Sequence, residues 1–197
     1  TDKDSWDAWL PNLTLTYQAD EDSTYYLRYA KGYKGGGWSG ENAATPEKGV
    51  VSYDPELAQN FEIGAKLLMA DRRVRLNAAA YFTKYKDLQV QQFAQLDPQR
   101  PPDFFIINAS NGTEAYGLEL DLQARVTEEI RVYGNYAYTK CEFKGTLIID
   151  DDGTDADGNT CRRTPEHAFS IGADATFPIS PNLKASFGTD FQWSDKY

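Results

Sequence analysis

Apolar and polar side chains alternate one by one through segment after segment of this chain. In the stretch 118–126, Leu118, Leu120, Leu122, Ala124 and Val126 share one face of an extended backbone, and Glu119, Asp121, Gln123 and Arg125 share the other. Stretch 169–177 repeats the pattern, opposing Ile171, Ala173 and Ala175 to Ser170, Gly172, Asp174 and Thr176. Stretch 183–193 does so again, with Leu183, Ala185, Phe187, Phe191 and Trp193 against Lys184, Ser186, Gly188, Asp190 and Gln192. Shorter versions occupy 61–67 and 13–17, and no segment carries a 3.6-residue stripe. The chain therefore reads as all-β.

The pattern predicts eight strands, at about 12–18, 24–33, 60–68, 73–90, 104–126, 129–142, 167–177 and 182–194. Short polar turns at 19–23, 69–72, 127–128 and 178–182 join them in pairs, and long loops at 34–59, 91–103 and 143–166 separate the pairs. Loops of that length usually have a task of their own. Short turns at one end and long loops at the other is the arrangement of an antiparallel up-and-down transmembrane β-barrel. The expected strands 73–90 and 104–126 also exceed the usual length of a sandwich strand, which a tilted strand rising beyond a bilayer explains.

Composition changes this picture little. Mean hydropathy is −0.62 and no run of about 18 apolar residues exists, which excludes a membrane-spanning helix but not a spanning strand of roughly 10 alternating residues. Aromatics are 14% of residues, led by 13 Tyr, and suit strands and interfacial girdles. A net charge of −10 argues against nucleic acid as a partner, because phosphate contacts need clustered Lys and Arg. Cys141 and Cys161 flank an acidic, Gly-containing stretch. In an oxidising compartment they would staple that loop; in a reducing one they would stay two thiols, and spacing does not decide between these.

Three local motifs invite chemistry and do not carry it. Lys34-Gly-Gly-Gly-Trp38 has its Lys before the glycines and no helix after them, so it is read as a loop hinge with an aromatic at the rim. Asp150 to Asn159 has the composition of a calcium loop, yet counting from Asp155 puts Thr160 where an EF-hand needs Gly; it is read as a solvated acidic loop and not an EF-hand metal site, with weak calcium binding by a few of its carboxylates left open. His167 is the only histidine and has no nucleophile elbow to serve. No enzyme chemistry and no cofactor is expected.

Several stretches, in collinear order, resemble the TonB-dependent outer-membrane receptors. Trp9-Leu-Pro-Asn-Leu-Thr-Leu-Thr-Tyr-Gln18 followed by the pair-end at Tyr25 to Trp38 is similar to a strand pair of that family. Tyr53-Asp-Pro-Glu56 leading into Asn60-Phe-Glu-Ile-Gly-Ala-Lys66 resembles its strand start, and Tyr81 to Val90 its Tyr-x-Asp-Leu-Gln strand. Asn108 to Asp121 resembles the Asn-Ala…Gly-x-Glu-x-Glu pattern, with Asp121 in place of the usual second Glu, and Arg163 to Phe169 a later strand re-entry. The resemblance implies that 1–197 is a fragment of a receptor barrel domain in the bacterial outer membrane, with no plug domain, holding about eight strands of a barrel of about 22.

It further implies partners. These are outer-membrane lipid, a plug of the same full-length chain, the TonB complex, and a scarce ligand such as a ferric siderophore, cobalamin or a glycan. Trp38, Phe93, Arg100 and Arg162 are the loop candidates for ligand contact, and Arg28, Glu119, Asp121, Arg125, Lys184 and Asp190 are expected to face the lumen. Two alternatives stay open here: a passive porin-like barrel, and a soluble β-rich carbohydrate-binding or adhesin domain.

Overall fold

The computed structural model describes residues 5–39, 51–94, 103–109, 112–144 and 155–196. Twelve strands appear among them: β1 (Asn12–Gln18), β2 (Ser23–Lys34), β3 (Gly37–Ser39), β4 (Val51–Tyr53), β5 (Glu56–Met69), β6 (Val74–Lys86), β7 (Leu88–Ala94), β8 (Asp103–Ala109), β9 (Thr113–Arg125), β10 (Ile130–Phe143), β11 (His167–Ser180) and β12 (Leu183–Ser194). Eight of them form one antiparallel sheet in the order β1-β2-β5-β6-β9-β10-β11-β12, so sequence neighbours within the wall are spatial neighbours. The sheet is open, with β1 and β12 as its edges. β3–β4 and β7–β8 are separate two-stranded hairpins at the long-loop end.

The expected continuous strands 73–90 and 104–126 are each two strands. The first breaks at Asp87, whose φ of 55° is left-handed, a conformation Asp tolerates because its short side chain bonds locally. The second breaks just before β9, at Gly112 with φ of 91°, which favours glycine. The chain there leaves the wall, makes the β7–β8 hairpin, and returns. The long loop expected at 91–103 is correspondingly shorter, and 34–59 contains β3 and β4.

Register shows what the alternation builds. Tyr29 lies opposite Phe61, Phe61 opposite Phe82 and Phe82 opposite Tyr116, an aromatic row crossing four strands near the long-loop end. Farther along, Tyr136, Tyr138, Phe169 and Trp193 continue the aromatic belt, with Phe169 and Trp193 at 5.5 Å between ring centres. Below the row the same face is apolar, and its side chains stand open: Leu15 is 70% exposed, Ile63 58% and Phe187 67%. One residue above, the same face turns charged, with Lys31, Gln59, Lys84, Glu114 and Glu142 at successive register positions.

In β9 the apolar face runs from Tyr116 to Val126. At about 3.3 Å per residue and a tilt of roughly 40° this is a band about 25 Å tall, the thickness that outer-membrane barrels present to lipid. No soluble domain leaves so broad a contiguous apolar face to water. The short-turn end is polar: Arg72 bonds Asp22 at 2.6 Å and Glu21 at 3.1 Å, tying the first two turns together. At the third turn Thr127 Oγ1 accepts from the backbone N–H groups of Glu129 and Ile130.

A single sheet has no second layer to pack on, so the wall contains almost no buried apolar side chain. Close packing inside it is instead tyrosine on glycine. On the face opposite the apolar band, the Tyr26 ring lies over Gly64 and the Tyr133 ring over Gly172; an added Cβ would collide with the ring at both glycines, meeting ring carbons at 2.5 Å at Gly172. Glycine in a strand here marks the close approach of a cross-strand aromatic.

Two outcomes follow for the full-length protein refolded in lipid. Ala78 and Ala79 are adjacent on β6 and point to opposite faces. Ala78→Arg, in mid-band, should cost about 2–4 kcal/mol of unfolding free energy, while Ala79→Arg should cost clearly less, since only the lipid face must exclude charge. Equal losses would contradict the facing assigned here. Gly172→Val should displace Tyr133 and destabilise by about 1–3 kcal/mol, read as a shifted urea midpoint.

Candidate functional site: the inner wall and the long-loop rim

The face opposite the lipid band carries the polar half of the alternation. Arg28, Glu119, Asp121, Arg125, Lys184 and Asp190 all lie on it. Tyr26 donates its hydroxyl to Glu62 at 2.8 Å, Asn77 Nδ2 donates to Asp121 Oδ1 at 3.0 Å, and Arg131 pairs with Asp174 at 2.6 Å. Tyr81 and Thr139 share a hydroxyl bond of 2.8 Å, and Ser170 bonds Asn135. On this face lies a concave groove of about 720 Å³ with Tyr26, Asn77, Glu119, Asp121, Asn135 and Ser170 in its wall. Arg28 makes only a long contact to Asn12, at 3.4 Å. Among the described residues the side chains of Glu119, Arg125, Lys184 and Asp190 form no hydrogen bond or ion pair, so their charges remain available to whatever fills the concave side.

The loop candidates are spread over three excursions. Trp38 sits in β3, and its ring meets Trp6 at 5.6 Å between centres with a 54° tilt. Trp6 was not singled out from the sequence; only a long-range contact reveals it. Phe93 is in β7, opposite Phe104 by register. Arg162 is exposed in a turn, its carbonyl accepting from Thr164 Oγ1 at 3.4 Å. Arg100 lies outside the described residues, as does the 150–154 part of the acidic loop. Among the described residues no group of three or more His, Cys, Asp or Glu side chains is placed to hold a metal ion.

Cys141 and Cys161 are joined, settling the alternative that their spacing left open. The bond pins the returning limb of the third excursion to the top of β10. Cys161 N–H donates to the Cys141 carbonyl at 3.0 Å, and Gly158 and Phe143 exchange further backbone bonds with this limb. Glu142, above the lipid band, accepts from Lys144 at 2.7 Å and from Lys140 at 3.0 Å. Those two bonds, Lys144's first, hold its carboxyl below the ordinary value near 4.5. His167, at the same rim, shares a 2.8 Å bond with Tyr136 through Nδ1, and its ring meets Tyr138 at a tilt of 40° with 5.2 Å between centres.

An open antiparallel wall with a lipid band outside, polar groups inside, short turns at one end and structured excursions at the other defines a segment of an outer-membrane β-barrel. Comparison with known proteins narrows the class. A family model described as "TonB dependent receptor-like, beta-barrel" matches residues 1–197. The chain is 27% identical over 178 residues to the ferrichrome outer membrane transporter/phage receptor of Escherichia coli K12, covering 89% of this chain and 20% of that protein. It is 27% identical over 191 residues to the probable TonB-dependent siderophore receptor PiuA of Acinetobacter baumannii, covering 92% and 24%.

Among solved structures, PiuA superposes with a TM-score of 0.62 at 24% identity over 93% of this chain and 25% of that one. The ferric yersiniabactin uptake receptor FyuA of Yersinia pestis gives 0.65 at 20% identity, over 93% and 29%. The chain belongs to the β-barrel family of TonB-dependent outer-membrane receptors. It spans about a fifth to a quarter of the length of the curated relatives it matches. By the family's orientation, the short turns are periplasmic and the long excursions extracellular.

Two outcomes test the rim. Replacing both cysteines by Ser should leave the wall assembled but loosen the third excursion by about 3 kcal/mol on the chain-entropy account, seen as faster protease nicking between 144 and 163. The Glu142 contacts tie Lys144, at the outgoing foot of that excursion, to the end of β10; their stabilisation is fully present above the carboxyl's unfolded value near 4.5 and is lost as pH falls through its lower folded value. Nicking should therefore rise on acidification below that point in the native receptor, and Glu142→Gln should abolish the step.

Proposed function

We propose that this chain forms part of the barrel of an energised uptake receptor, and that its ligand is a ferric siderophore. Support for the ligand class comes from the printed functions of the relatives, most of them siderophore receptors. The observation that carries the reading is the inner wall: a concave polar surface with Glu119, Arg125, Lys184 and Asp190 uncompensated suits a protein-filled lumen better than an open water channel. A plug of the same full-length chain would occupy that surface, and further wall strands would pair with the edges of β1 and β12.

In this account the barrel performs no covalent chemistry. Its excursions capture the ligand, its rigid wall holds the plug, and the plug rearranges when the TonB complex pulls on it. Trp38, Phe93, Arg100 and Arg162 would contribute aromatic surface and positive charge to the capture site. The acidic balance of the chain disfavours a naked anionic ligand.

The test is uptake of radioiron-loaded siderophores by cells expressing the full-length gene under iron limitation, with and without a working TonB complex. Import of a ferric siderophore that stops when TonB is deleted is the expected result. Solute entry that persists without TonB would replace the receptor with a passive pore. Within the receptor, Trp38→Ala and Arg162→Ala should each weaken ligand binding by about 5- to 30-fold, the loss typical of a contact residue near the centre of an interface.

A further inference from the structure

The hairpin β7–β8 stands above the lipid band and is amphipathic in its own right. Register pairs Leu88 with Ala109 and Val90 with Ile107, which sets these four on one side; Gln89 pairs with Asn108 on the other. The two sides meet different neighbours. On the apolar side, Ala109 packs in a small core with Phe143 and Ala156, flanked by Leu88, Val90 and Ile107. Phe143 ends β10 and Ala156 belongs to the limb held by the Cys141–Cys161 bond, so this side grips the third excursion.

On the polar side, the Asn108 amide behaves like a strand's peptide group. Its Oδ1 accepts from the Asp54 N–H at 2.7 Å, while Nδ2 donates to the Asp54 carbonyl at 2.9 Å and to the Asp87 carbonyl at 2.7 Å. Gln89, directly opposite, donates through Nε2 to the carbonyls of Gly35 at 2.8 Å and Asp54 at 3.2 Å, and its own N–H reaches the Glu56 carboxylate at 2.9 Å. Gly35 and Asp54 are the two corners where the β3–β4 hairpin leaves the wall. Asp54 precedes Pro55, which has no N–H, and Asp87 is the left-handed bend, so these corners lack regular ladder partners that side chains must replace.

We infer that β7–β8 is a keystone that joins all three extracellular excursions into one rigid body, and that Asn108 and Gln89 are the positioning residues coupling it to β3–β4. Wall strands fix only the feet of each excursion; without the junction, β3–β4, three residues per strand, would keep its own ladder and the Trp6–Trp38 contact but lose its tie to the second excursion. With the junction, Trp38 on the first excursion and Arg162 on the third keep a set spacing before any ligand arrives. The inference rests on the extracellular placement of these hairpins and not on the ligand's identity.

Hydrogen–deuterium exchange of the full-length receptor in detergent, without ligand, tests it. Asn108→Leu is expected to speed exchange at 37–39 and 51–53 by tenfold or more although the change lies in the other hairpin, with the wall amides of 113–125 and 130–140 at native rates. Gln89→Met, which keeps side-chain length and removes the amide, should reproduce the pattern and serves if Asn108→Leu does not assemble. Native exchange at 37–39 and 51–53 in an assembled variant, or acceleration confined to β7–β8, would overturn the coupling. So would equal acceleration throughout the wall. Because no ligand or TonB enters the measurement, its failure is separate from failure of the siderophore reading.

Discussion

Hydrocarbon offers no hydrogen-bond partner, so a chain crossing it must pair its backbone N–H and C=O groups within the protein. The eight-stranded ladder is the answer this chain gives, and most other features follow from it. Each interior wall strand is paired on both sides in unbroken antiparallel register across the lipid band. The departures from regular wall lie outside the band, at Asp87 and just before β9 above the charged row of Lys84 and Glu114, and at the Pro178–Ser180 register shift by the short-turn end, where water can satisfy a bent backbone. The same constraint explains why the wall needs no core. Its outer face is solvated by lipid, and its inner face is built of hydrogen-bonding side chains and tyrosines laid on glycines.

Above the band the rules change. Water surrounds the excursions, and the devices of a soluble protein return: a disulfide, an ion-pair cluster at Glu142, and a buried apolar cluster of Ala109, Phe143 and Ala156. The most buried apolar side chains of the described chain are concentrated there, although most of its apolar residues are in the wall. Two storeys with different solvents thus share one sheet. The rim can vary while the wall below keeps its register, since the contacts that shape the rim are made among the excursions themselves.

Family membership fits this division. A receptor wall must present a constant surface to lipid and to whatever fills the lumen, whereas recognition resides in the extracellular part. The inner charges without partners in this chain and the two open edges are both incomplete surfaces. Their completion belongs to the rest of the barrel and its contents in the proposal made above.

Much of the wall was legible in the sequence. The eight wall strands, the four short turns and the sharing of one face by Arg28, Glu119, Asp121, Arg125, Lys184 and Asp190 all follow from side chains pointing alternately to either side of a strand, a property local to each segment. The strand breaks were less legible. The expected strand 104–126 ran through Ser110-Asn-Gly112, a turn signal that the apolar alternation on either side outweighed. Tertiary structure alone decided the Cys141–Cys161 pairing, the Trp6–Trp38 contact and the junction at Asn108 and Gln89. Each joins residues far apart in the chain, and an Asn facing another strand's corner looks, in sequence, like any polar residue of a strand. Periodicity encodes which face a residue takes; which distant group it meets there depends on register and on where the backbone bends, and those are settled by the assembled sheet.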